Sequence, residues 1–401
     1  MLSVEEARAR ILAPLRPVPA ETVALATAWG RVLAAPVVAR LDNPPGAVSA
    51  MDGYALRATD GQPGARLRVI GEAPAGHPFA GSVQPGEAVR LYTGSLVPLG
   101  ADAVLLQEDA AREGDWVEVR EAVAAGRHVR PQGQDFALGD PLLAPGRRLS
   151  ARDVGLAAAA NHPWLTVHRR PRVALLATGD EIALPGEPIR AGGIVSSNTH
   201  ALAALVHAAG GEPLTLPIAA DTREALAGAA LGAAGADLLV TTGGASVGDY
   251  DLVQAALGEH GFALDFWKVA MRPGKPLISG RLGGMPVLGL PGNPVSALVC
   301  ALLFLWPAIG RLSGLPGDPL PVTEARLGAE LPPNDHRADH LRATLSHATD
   351  GALVATAFPR QDSAMLRVFA NADALILRPP QAPSLAAGRT VPILQLGLLG
   401  L

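Results

Sequence analysis

The sequence predicts a multidomain protein of the α/β plus β class, with a central, mostly parallel α/β sheet domain. At 401 residues the chain is longer than one core usually spans, so two to four domains are expected. Residues 172–309 alternate between apolar strand patterns and helix patterns, which is typical of parallel βαβ units. On either side, short strand patterns separated by turn residues predict two β-rich units.

Composition limits the classes of function. Hydrophobic residues make up 49% of the chain but aromatic residues only 4%, which indicates a well-buried globular protein. A net charge of −4 argues against a broad nucleic-acid footprint. The single cysteine, Cys300, excludes an internal disulfide and fits a reducing cytosol, so we expect a cytoplasmic protein. No uninterrupted apolar run reaches about 18 residues, and the acidic, amphipathic start does not resemble a signal peptide, so we expect no membrane contact.

The elements of the first third predict a helical stem with an inserted β domain. Ser3 and Glu6 form a capping-box pattern at the start of a helix over 3–15, and a second helix is predicted over 20–30. A further capped helix over 150–161 is expected to rejoin the first two, so the stem would comprise 1–44 and 141–170. The β-rich insertion would span 45–140, with strands at 66–71, 88–93, 102–108 and 115–120.

The central α/β domain is predicted to span 171–316, and a proline- and glycine-rich boundary separates it from a small all-β domain at 317–401. Because the strand and helix patterns alternate, helices should cover both faces of the sheet. The predicted strands are 172–178, 212–217, 236–242 and 286–290, and the predicted helices are 198–209, 221–233, 250–259 and 293–306.

Polar or glycine-rich loops follow three of these strands, at 178–181, 241–251 and 291–294. Ligands of open α/β sheets bind at the carboxyl ends of the strands, so we expect the three loops to meet in one crevice. Glycines allow backbone N–H groups to approach an anion, and the start of a helix favours negative charge. The acids Asp249 and Asp251 directly follow the second loop's glycines.

Lysine is used sparingly, which draws attention to two positions. Of the 33 basic residues only Lys268 and Lys275 are lysine, so arginine evidently does not serve there. A lysine ammonium is a compact charge suited to phosphate or oxyanion binding, and paired carboxylates suit Mg²⁺. The chain has no Walker A motif, no GxGxxG and no Cys/His metal cluster. The residues therefore predict an anionic, phosphorylated substrate held with a divalent metal, but they do not identify that substrate.

Several motifs together resemble one family, the molybdopterin molybdenumtransferases (MoeA), which include the C-terminal domain of gephyrin. The most specific are SAMDGYAL at 49–56, TTGGASVGDYD at 241–251 and LPGNPVSAL at 290–298. The others are TGS with PLGADAV at 93–104, GQDFALGD at 133–140, TGDE at 178–181, SNTHAL at 197–202 and FWKVAMRPGKPL at 266–277.

The resemblance implies an enzyme that inserts molybdate into adenylylated molybdopterin, assisted by Mg²⁺, with release of AMP. It implies that the C-terminal domain is a β-barrel. It also implies a homodimer whose site is shared between subunits, with small molecules as substrates. Contact with other proteins of molybdenum cofactor biosynthesis is a further expectation.

The resemblance also assigns residues. It implies catalytic roles for Asp249, Lys268 and Lys275, and for Asp52 and Asp135 contributed by the partner subunit. Asp249 and Asp180 would hold the metal. Substrate-binding roles would fall to Asp180, Glu181, Ser197, Asn198, Thr93, Gly243, Gly244, Ser246, Gly248, Pro291, Asn293, Ser296, Arg342 and Ser363, with Arg337 in the same arginine motif.

Two departures and two alternatives accompany this interpretation. Arg272 stands where some relatives carry lysine, and His340 stands where an aromatic residue is common. An adenylyltransferase acting one step earlier would use the same type of α/β domain, but it would lack the inserted domain with SAMDGYAL. A non-catalytic scaffold of the same family is the second alternative, which the retained Asp180, Asp249, Lys268 and Lys275 argue against.

Overall fold

The computed structural model describes residues 1–243, 258 and 261–399. The predicted helix at 250–259 and most of the 241–251 loop lie outside this part of the chain. The N-terminal region contains α1 (Val4–Leu12), β1 (Ala20–Ala24), β2 (Val37–Val38), β3 (Val48–Ser49), β4 (Gly53–Leu56), β5 (Arg66–Ala73), β6 (Glu87–Leu91), β7 (Ala103–Leu106), β8 (Ala110–Glu113), β9 (Trp116–Val119), β10 (Val129–Arg130), β11 (Pro141–Leu143), α2 (Ala151–Ala159) and β12 (Trp164–His168).

The first helix forms as predicted, but it does not pack with α2. The Ser3 hydroxyl accepts from the Glu6 N–H and the Glu6 carboxylate accepts from the Ser3 N–H, which completes the capping box. The buried side chains of α1 join the hydrophobic core of the central region. Helix α2 instead packs on a separate core around Leu33 and Leu165. The expectation that α2 rejoins the first helix is therefore wrong.

The predicted helix over 20–30 is also wrong. Residues 20–24 form β1, which pairs antiparallel with β12, and only Leu25–Thr27 form a short 3₁₀ turn without a side-chain cap. The β-branched Thr22 and Val23 fit this ladder, and a partner strand about 140 residues further along the chain supplies its hydrogen bonds. Long-range pairing thus overrides the local helical pattern.

The inserted region is a six-stranded sheet in the order β7-β4-β6-β5-β9-β8. The four strands predicted here are present, each within two residues of its predicted ends. The strand β4 lies within SAMDGYAL and is paired on both sides, with β7 and β6. Gly53 opens it, and a Cβ at this position would lie 2.0 Å from the Leu105 carbonyl oxygen. Only glycine lets these two backbones approach so closely.

The central region carries the α/β sheet, in the order β16-β13-β17-β21-β20-β18. The first four strands are mutually parallel, and β20 is antiparallel to both of its neighbours, so the predicted mostly parallel sheet is confirmed. Its elements are β13 (Arg172–Ala177), β14 (Ile182–Ala183), β15 (Ile194–Val195), α3 (Asn198–Ala209), β16 (Glu212–Thr215), α4 (Arg223–Leu231), β17 (Leu238–Thr242), β18 (Phe262–Trp267), β19 (Met271–Arg272), β20 (Ile278–Leu282), β21 (Met285–Leu290), α5 (Pro294–Cys300), a π-helical turn (Ala301–Leu305) and α6 (Trp306–Leu312).

The continuous helix Pro294–Leu312 is apolar on all sides. Among the described residues it is the one helix with the length and composition of a membrane span, and 83% of that window is buried inside the molecule. Its side chains form the centre of the main hydrophobic core, together with α1, α3 and the sheet. A helix that is hydrophobic all round is typical of such a buried position.

The C-terminal region is a closed five-stranded barrel, which confirms the predicted small β-barrel. The strands follow the order β23-β24-β22-β26-β25, and β25 pairs again with β23. The short strand β19 of the central region adds in parallel to β23 and joins the two regions. The barrel's elements are β22 (Thr323–Leu327), β23 (Ala338–His347), β24 (Leu353–Ala357), α7 (Leu366–Ala370), β25 (Ala374–Arg378) and β26 (Thr390–Gln395), followed by a 3₁₀ turn (Gly397–Leu399).

Substituting Gly53→Ala tests the close approach within the inserted sheet. The added methyl group overlaps the Leu105 carbonyl, so we expect the free energy of unfolding to fall by about 3 kcal/mol, measured by urea titration. Gly155→Ala is the matched control, because a Cβ there meets nothing within 4 Å and the residue lies inside α2. That control should gain about 0.5–1 kcal/mol. Equal effects of the two substitutions would show that the close approach at Gly53 does not require glycine.

Candidate functional site

A cavity of about 1120 Å³ lies at the carboxyl edge of the central sheet. Its walls include Thr178 and Gly179 after β13, Thr242 and Gly243 at the end of β17, and residues 291–294 after β21. These three strands are direct neighbours and run parallel, so their carboxyl ends meet at one edge. The predicted convergence of the three loops is therefore observed for all of their described residues except Asp180 and Thr241.

One amide group joins two of these segments to the start of α3. Asn198, the first residue of α3, donates from Nδ2 to the Thr242 hydroxyl and to the Gly292 carbonyl, both at 2.7 Å. Gly243 closes the same corner with a φ of +89°, and a Cβ there would lie 2.5 Å from the Thr178 carbonyl oxygen. The glycine is required by both the backbone conformation and the close contact.

The barrel supplies another wall of the cavity. Asn293, the N-cap residue of α5, donates from Nδ2 to the Ser363 hydroxyl at 2.9 Å, and the Val295 N–H donates to the Ser363 carbonyl. Ser363 lies in the turn 361–364, which lines the cavity. Ser296 also lines it from the first turn of α5, although it is only 5% exposed. The predicted residues Asn293, Ser296 and Ser363 are thus brought together.

Three cationic side chains line the cavity near the junction of sheet and barrel: Arg272, Lys275 and Arg337. Arg272 makes a bidentate ion pair with Asp339 of β23, at 2.9 and 3.1 Å, and this hydrogen bonding raises the pKa of the guanidinium. Arg337 pairs with Asp335, and that contact lowers the pKa of the Asp335 carboxyl. The exposed Lys275 follows Gly274, whose φ is +104°. This part of the wall is suited to an oxyanion.

A buried hydroxyl also points to a polar ligand. Thr178 lines the cavity and is 3% exposed, and its Oγ1 has no hydrogen-bond partner among the described residues. Buried hydroxyls are normally paired, since leaving one unpaired costs about 1–3 kcal/mol. A bound ligand would satisfy it.

Most of the remaining predicted central residues line the cavity as well, and two lie beside it. Glu181, Ser197 and Pro291 are part of its wall. Asp180 lies outside the wall, between Gly179 and Glu181, and its carboxylate accepts from the Asp221 N–H at 3.2 Å. Lys268 also lies outside, with a φ of +99° and its Nζ 3.6 Å from the centre of the Trp267 ring.

Arg342 is enclosed by the barrel and is not part of the cavity wall. It is 0% exposed, burial lowers its pKa, and none of its guanidinium nitrogens has a partner among the described residues. Its backbone N–H and carbonyl, in contrast, both have hydrogen-bond partners. The Arg342 N–H donates to the Gln361 side chain at 2.9 Å, and that amide donates back to the Arg342 carbonyl. Arg342 thereby fixes the turn that presents Ser363.

The three predicted residues of the inserted region lie away from this cavity. Asp52 accepts from the N–H and the hydroxyl of Thr93, both at 2.8 Å, and these hydrogen bonds lower its pKa. Asp135 accepts from the Asn43 amide at 3.2 Å. In the part of the chain that the structure describes, the cavity wall contains no residue before Ala177. Their contribution to a partner's site therefore stays a prediction.

Four predicted residues, Gly244, Ser246, Gly248 and Asp249, lie outside the described residues, and so does Asp251. Several residues of the wall were not predicted, and those that carry a carboxylate or an amide are Asp221, Gln361 and Asp362. Asp221 begins the turn before α4, and no motif marks it. Gln361 and Asp362 directly precede Ser363, so the same turn motif could have identified them.

The carboxylates in and beside the cavity are the candidate ligands for Mg²⁺. No group of three or more His, Cys, Asp or Glu residues suited to a metal occurs among the described residues. Mg²⁺ needs only one or two carboxylates when substrate phosphates complete its coordination. Asp180 lies beside the cavity, and Glu181, Asp221 and Asp362 line it, so the donor set is compatible with such a shared site.

Comparison with known proteins shows what the chain is similar to. Three family models match: the MoeA N-terminal region (domain I and II) at residues 2–161, a probable molybdopterin binding domain at 174–311, and the MoeA C-terminal region (domain IV) at 324–396. The molybdopterin molybdenumtransferase of Nostoc sp. is 38% identical over 387 residues, which are 94% of this chain and 88% of the relative. Molybdopterin molybdenumtransferase 2 of Mycobacterium tuberculosis is 38% identical over 97% of this chain and 98% of the relative.

Solved structures agree with the sequence relatives. The crystal structure of the molybdopterin biosynthesis MoeA protein from Pyrococcus horikoshii has a TM-score of 0.86 and 29% identity, covering 98% of this chain and 99% of that one. The fold and the site thus define a transferase of molybdenum cofactor biosynthesis. The chain belongs to the MoeA family. The family and enzyme class predicted from the motifs are confirmed.

Substituting Asn198→Asp tests the bridging amide. A carboxylate cannot donate to the Thr242 hydroxyl oxygen or the Gly292 carbonyl, so the free energy of unfolding should fall by about 2 kcal/mol. Asn371→Asp serves as the control, because this exposed amide, at the C-cap of the short helix α7, donates a single bond back to the Arg367 carbonyl. Chemical denaturation of both variants would measure the difference, and no loss at position 198 would refute the bridging role.

Proposed function

We propose that the protein inserts molybdate into adenylylated molybdopterin, with Mg²⁺ assisting and AMP leaving. The observation that carries this proposal is the clustering of Arg272, Lys275 and Arg337 in the wall of one cavity with the glycine-rich strand ends. Relatives named molybdopterin molybdenumtransferase, 38% identical over almost the whole chain, support the choice of substrate.

The cavity offers different chemistry along the sheet edge. Ile182, Ile194 and Val195, in the excursion after β13, line it with apolar side chains. The cationic segment 271–276 follows β18, four strands away in the sheet order, and at about 4.8 Å per step this is about 19 Å. We assign the apolar part to a flat heterocycle and the cationic part to oxyanions. A volume of about 1120 Å³ suits a ligand as large as a pterin joined to a nucleotide.

Within this proposal the residues bind and orient the substrates and exclude water from them. Lys275, with Lys268 beside it, neutralises the charge of the pyrophosphate and the molybdate. Ser296 and Ser363 donate to the anions through their hydroxyl groups. Asn198 orients the loops, and Glu181, Ser197 and the glycines shape the crevice. Arg342 holds the turn that presents Ser363.

Magnesium has a defined place in the proposal. We assign Asp180 and Asp249 as its carboxylate ligands, with substrate phosphates completing the shell. When bound, the ion would neutralise negative charge on the pyrophosphate, which favours AMP as a leaving group. Asp249 is assigned from its sequence motif, since it lies outside the described residues.

We further propose a cytoplasmic homodimer in which Asp52, Thr93 and Asp135 of one subunit complete the site of the other. Asp52 presents a carboxylate held by Thr93 through Oδ1, which leaves Oδ2 outside that contact. We also propose a division of the chain into stem (1–44 and 141–170), insertion (45–140), α/β domain (171–316) and barrel (317–401). Each of the three large sheets lies within one part, except for β19, which joins the barrel's sheet. Contact with other proteins of the pathway remains a proposal.

The first test follows AMP release from purified protein given adenylylated molybdopterin, Mg²⁺ and molybdate. We expect release to depend on molybdate and to yield active cofactor. Tight binding without release would favour a scaffold, and synthesis of the adenylate from ATP and molybdopterin would favour an adenylyltransferase. Either outcome would contradict the proposal.

Removing one cation tests the wall of the cavity. Lys275→Ala should lower kcat/KM for molybdate-dependent AMP release by about 100-fold or more, because a charge aimed at the anions is lost. Lys275 is exposed, so its loss should leave the free energy of unfolding within about 0.5 kcal/mol of the parent. Arg326→Ala, which removes a cation from the barrel's surface, is the matched control and should keep full activity.

Asp249→Ala makes the corresponding test of the proposed metal ligand. We expect AMP release to fall by at least about 100-fold, with partial recovery at raised Mg²⁺ because the remaining ligands bind the ion more weakly. Steady-state kinetics at several Mg²⁺ concentrations measure both effects. Full activity at limiting Mg²⁺ would remove Asp249 from the site.

A further inference from the structure

Among the described residues, Arg272 is the one cavity-lining cation whose ion-pair partner lies in a different structural region. It lies on β19 of the central region, and its carboxylate partner Asp339 lies on β23 of the barrel. Nε donates to Oδ1 at 2.9 Å and Nη2 donates to Oδ2 at 3.1 Å, so one edge of the guanidinium is fully engaged. The remaining nitrogen, Nη1, takes no part in this ion pair.

The burial of the two partners is unequal. The Asp339 side chain is 7% exposed, whereas the Arg272 side chain is 47% exposed and lines the cavity. The carboxylate is therefore a fixed point of the barrel, and the arginine reaches from it towards solvent and ligand. A half-exposed arginine without such a partner would populate many rotamers, and ordering it on ligand binding would cost affinity.

The backbone reinforces this contact. Arg272 and Asp339 are directly paired in the parallel bridge between β19 and β23, and the Ala338 N–H donates to the Ala270 carbonyl at 2.9 Å. The neighbouring pair Arg337 and Asp335 differs, because those residues are two positions apart in one loop. Of these two ion pairs, the one between Arg272 and Asp339 joins the central region to the barrel. It therefore ties the position of the Arg272 guanidinium in the cavity wall to the barrel.

We propose that Asp339 is a positioning residue, which holds the Arg272 guanidinium towards the cavity so that it meets an oxyanion already oriented. This inference rests on the proposed function for the identity of the anion, molybdate. The barrel is then part of the anion site through Asp339, although this carboxylate would itself repel an anion. A planar guanidinium can be held along one edge by two parallel hydrogen bonds and still present its remaining nitrogen to an anion, whereas a lysine ammonium is a compact point charge.

The test uses the full chain and two readouts, equilibrium binding of molybdate alone by calorimetry and steady-state AMP release. The variants are Asp339→Asn, Asp339→Glu, Arg272→Ala and the double variant Arg272→Ala with Asp339→Asn. Asp350→Asn is the matched control, because this carboxylate pairs with Arg326 on the exposed side of the barrel. Thermal unfolding of every variant separates loss of fold from loss of position.

We expect Asp339→Asn to weaken molybdate binding and to raise the KM for molybdate by about tenfold, with kcat changed less than about threefold. Asp339→Glu keeps the carboxylate, so its molybdate binding and KM should remain within about threefold of the parent values. The control Asp350→Asn should match the parent protein. In the absence of Arg272, the Asp339→Asn change should cause no further loss of binding, because the carboxylate acts through the guanidinium.

Three results would overturn the inference. One is unchanged molybdate binding in Asp339→Asn, and another is additive losses in the double variant. The third is a parent protein that does not bind molybdate at all. Absence of molybdate-dependent AMP release, with the binding pattern intact, would reject the proposed reaction and leave the role of Asp339 standing.

Discussion

The parallel alignment of β13, β17 and β21 is the constraint on which the site depends. Because these neighbours run in one direction, three loops far apart in the chain end at the same edge of the sheet. The Asn198 amide then ties the ends of β17 and β21 to the start of α3 with two short hydrogen bonds. Glycine at 243 permits the close approach of backbones that a side chain would prevent. The cavity follows from strand direction and these few contacts.

The second requirement is that the barrel docks against this edge. Ser363 meets the start of α5 through its hydroxyl and its carbonyl, and β19 extends the barrel's own sheet. The cavity is therefore built from two regions, and its cationic wall lies at their junction. A single α/β domain would have the glycine loops but would lack Arg337 and Ser363. This architecture explains how one type of sheet can serve different chemistry when a further domain is added to it.

The fold was largely predictable because its periodic patterns are strong. Strands β13, β17 and β21 are largely apolar runs, and burial inside the sheet produces that pattern. Strands β18 and β20 were missed, since FALDFW and ISGRL mix charged, small and apolar residues near the edge of the sheet. The helix predicted over 20–30 failed for a different reason. Its residues have ordinary helical spacing, and only the distant β12 makes them a strand.

The sequence by itself determined the family, the fold class and most of the cavity wall, because glycine turns, helix starts and sparing use of lysine are local signals. Tertiary structure decided which charges share the cavity. Lys268 lies against Trp267, Arg342 is buried in the barrel, and Arg272 is held by Asp339, 67 positions away. Side-chain direction and burial depend on packing between regions, and no local pattern encodes that packing. The sequence therefore specified the kind of site, and only the folded chain specified which residues compose it.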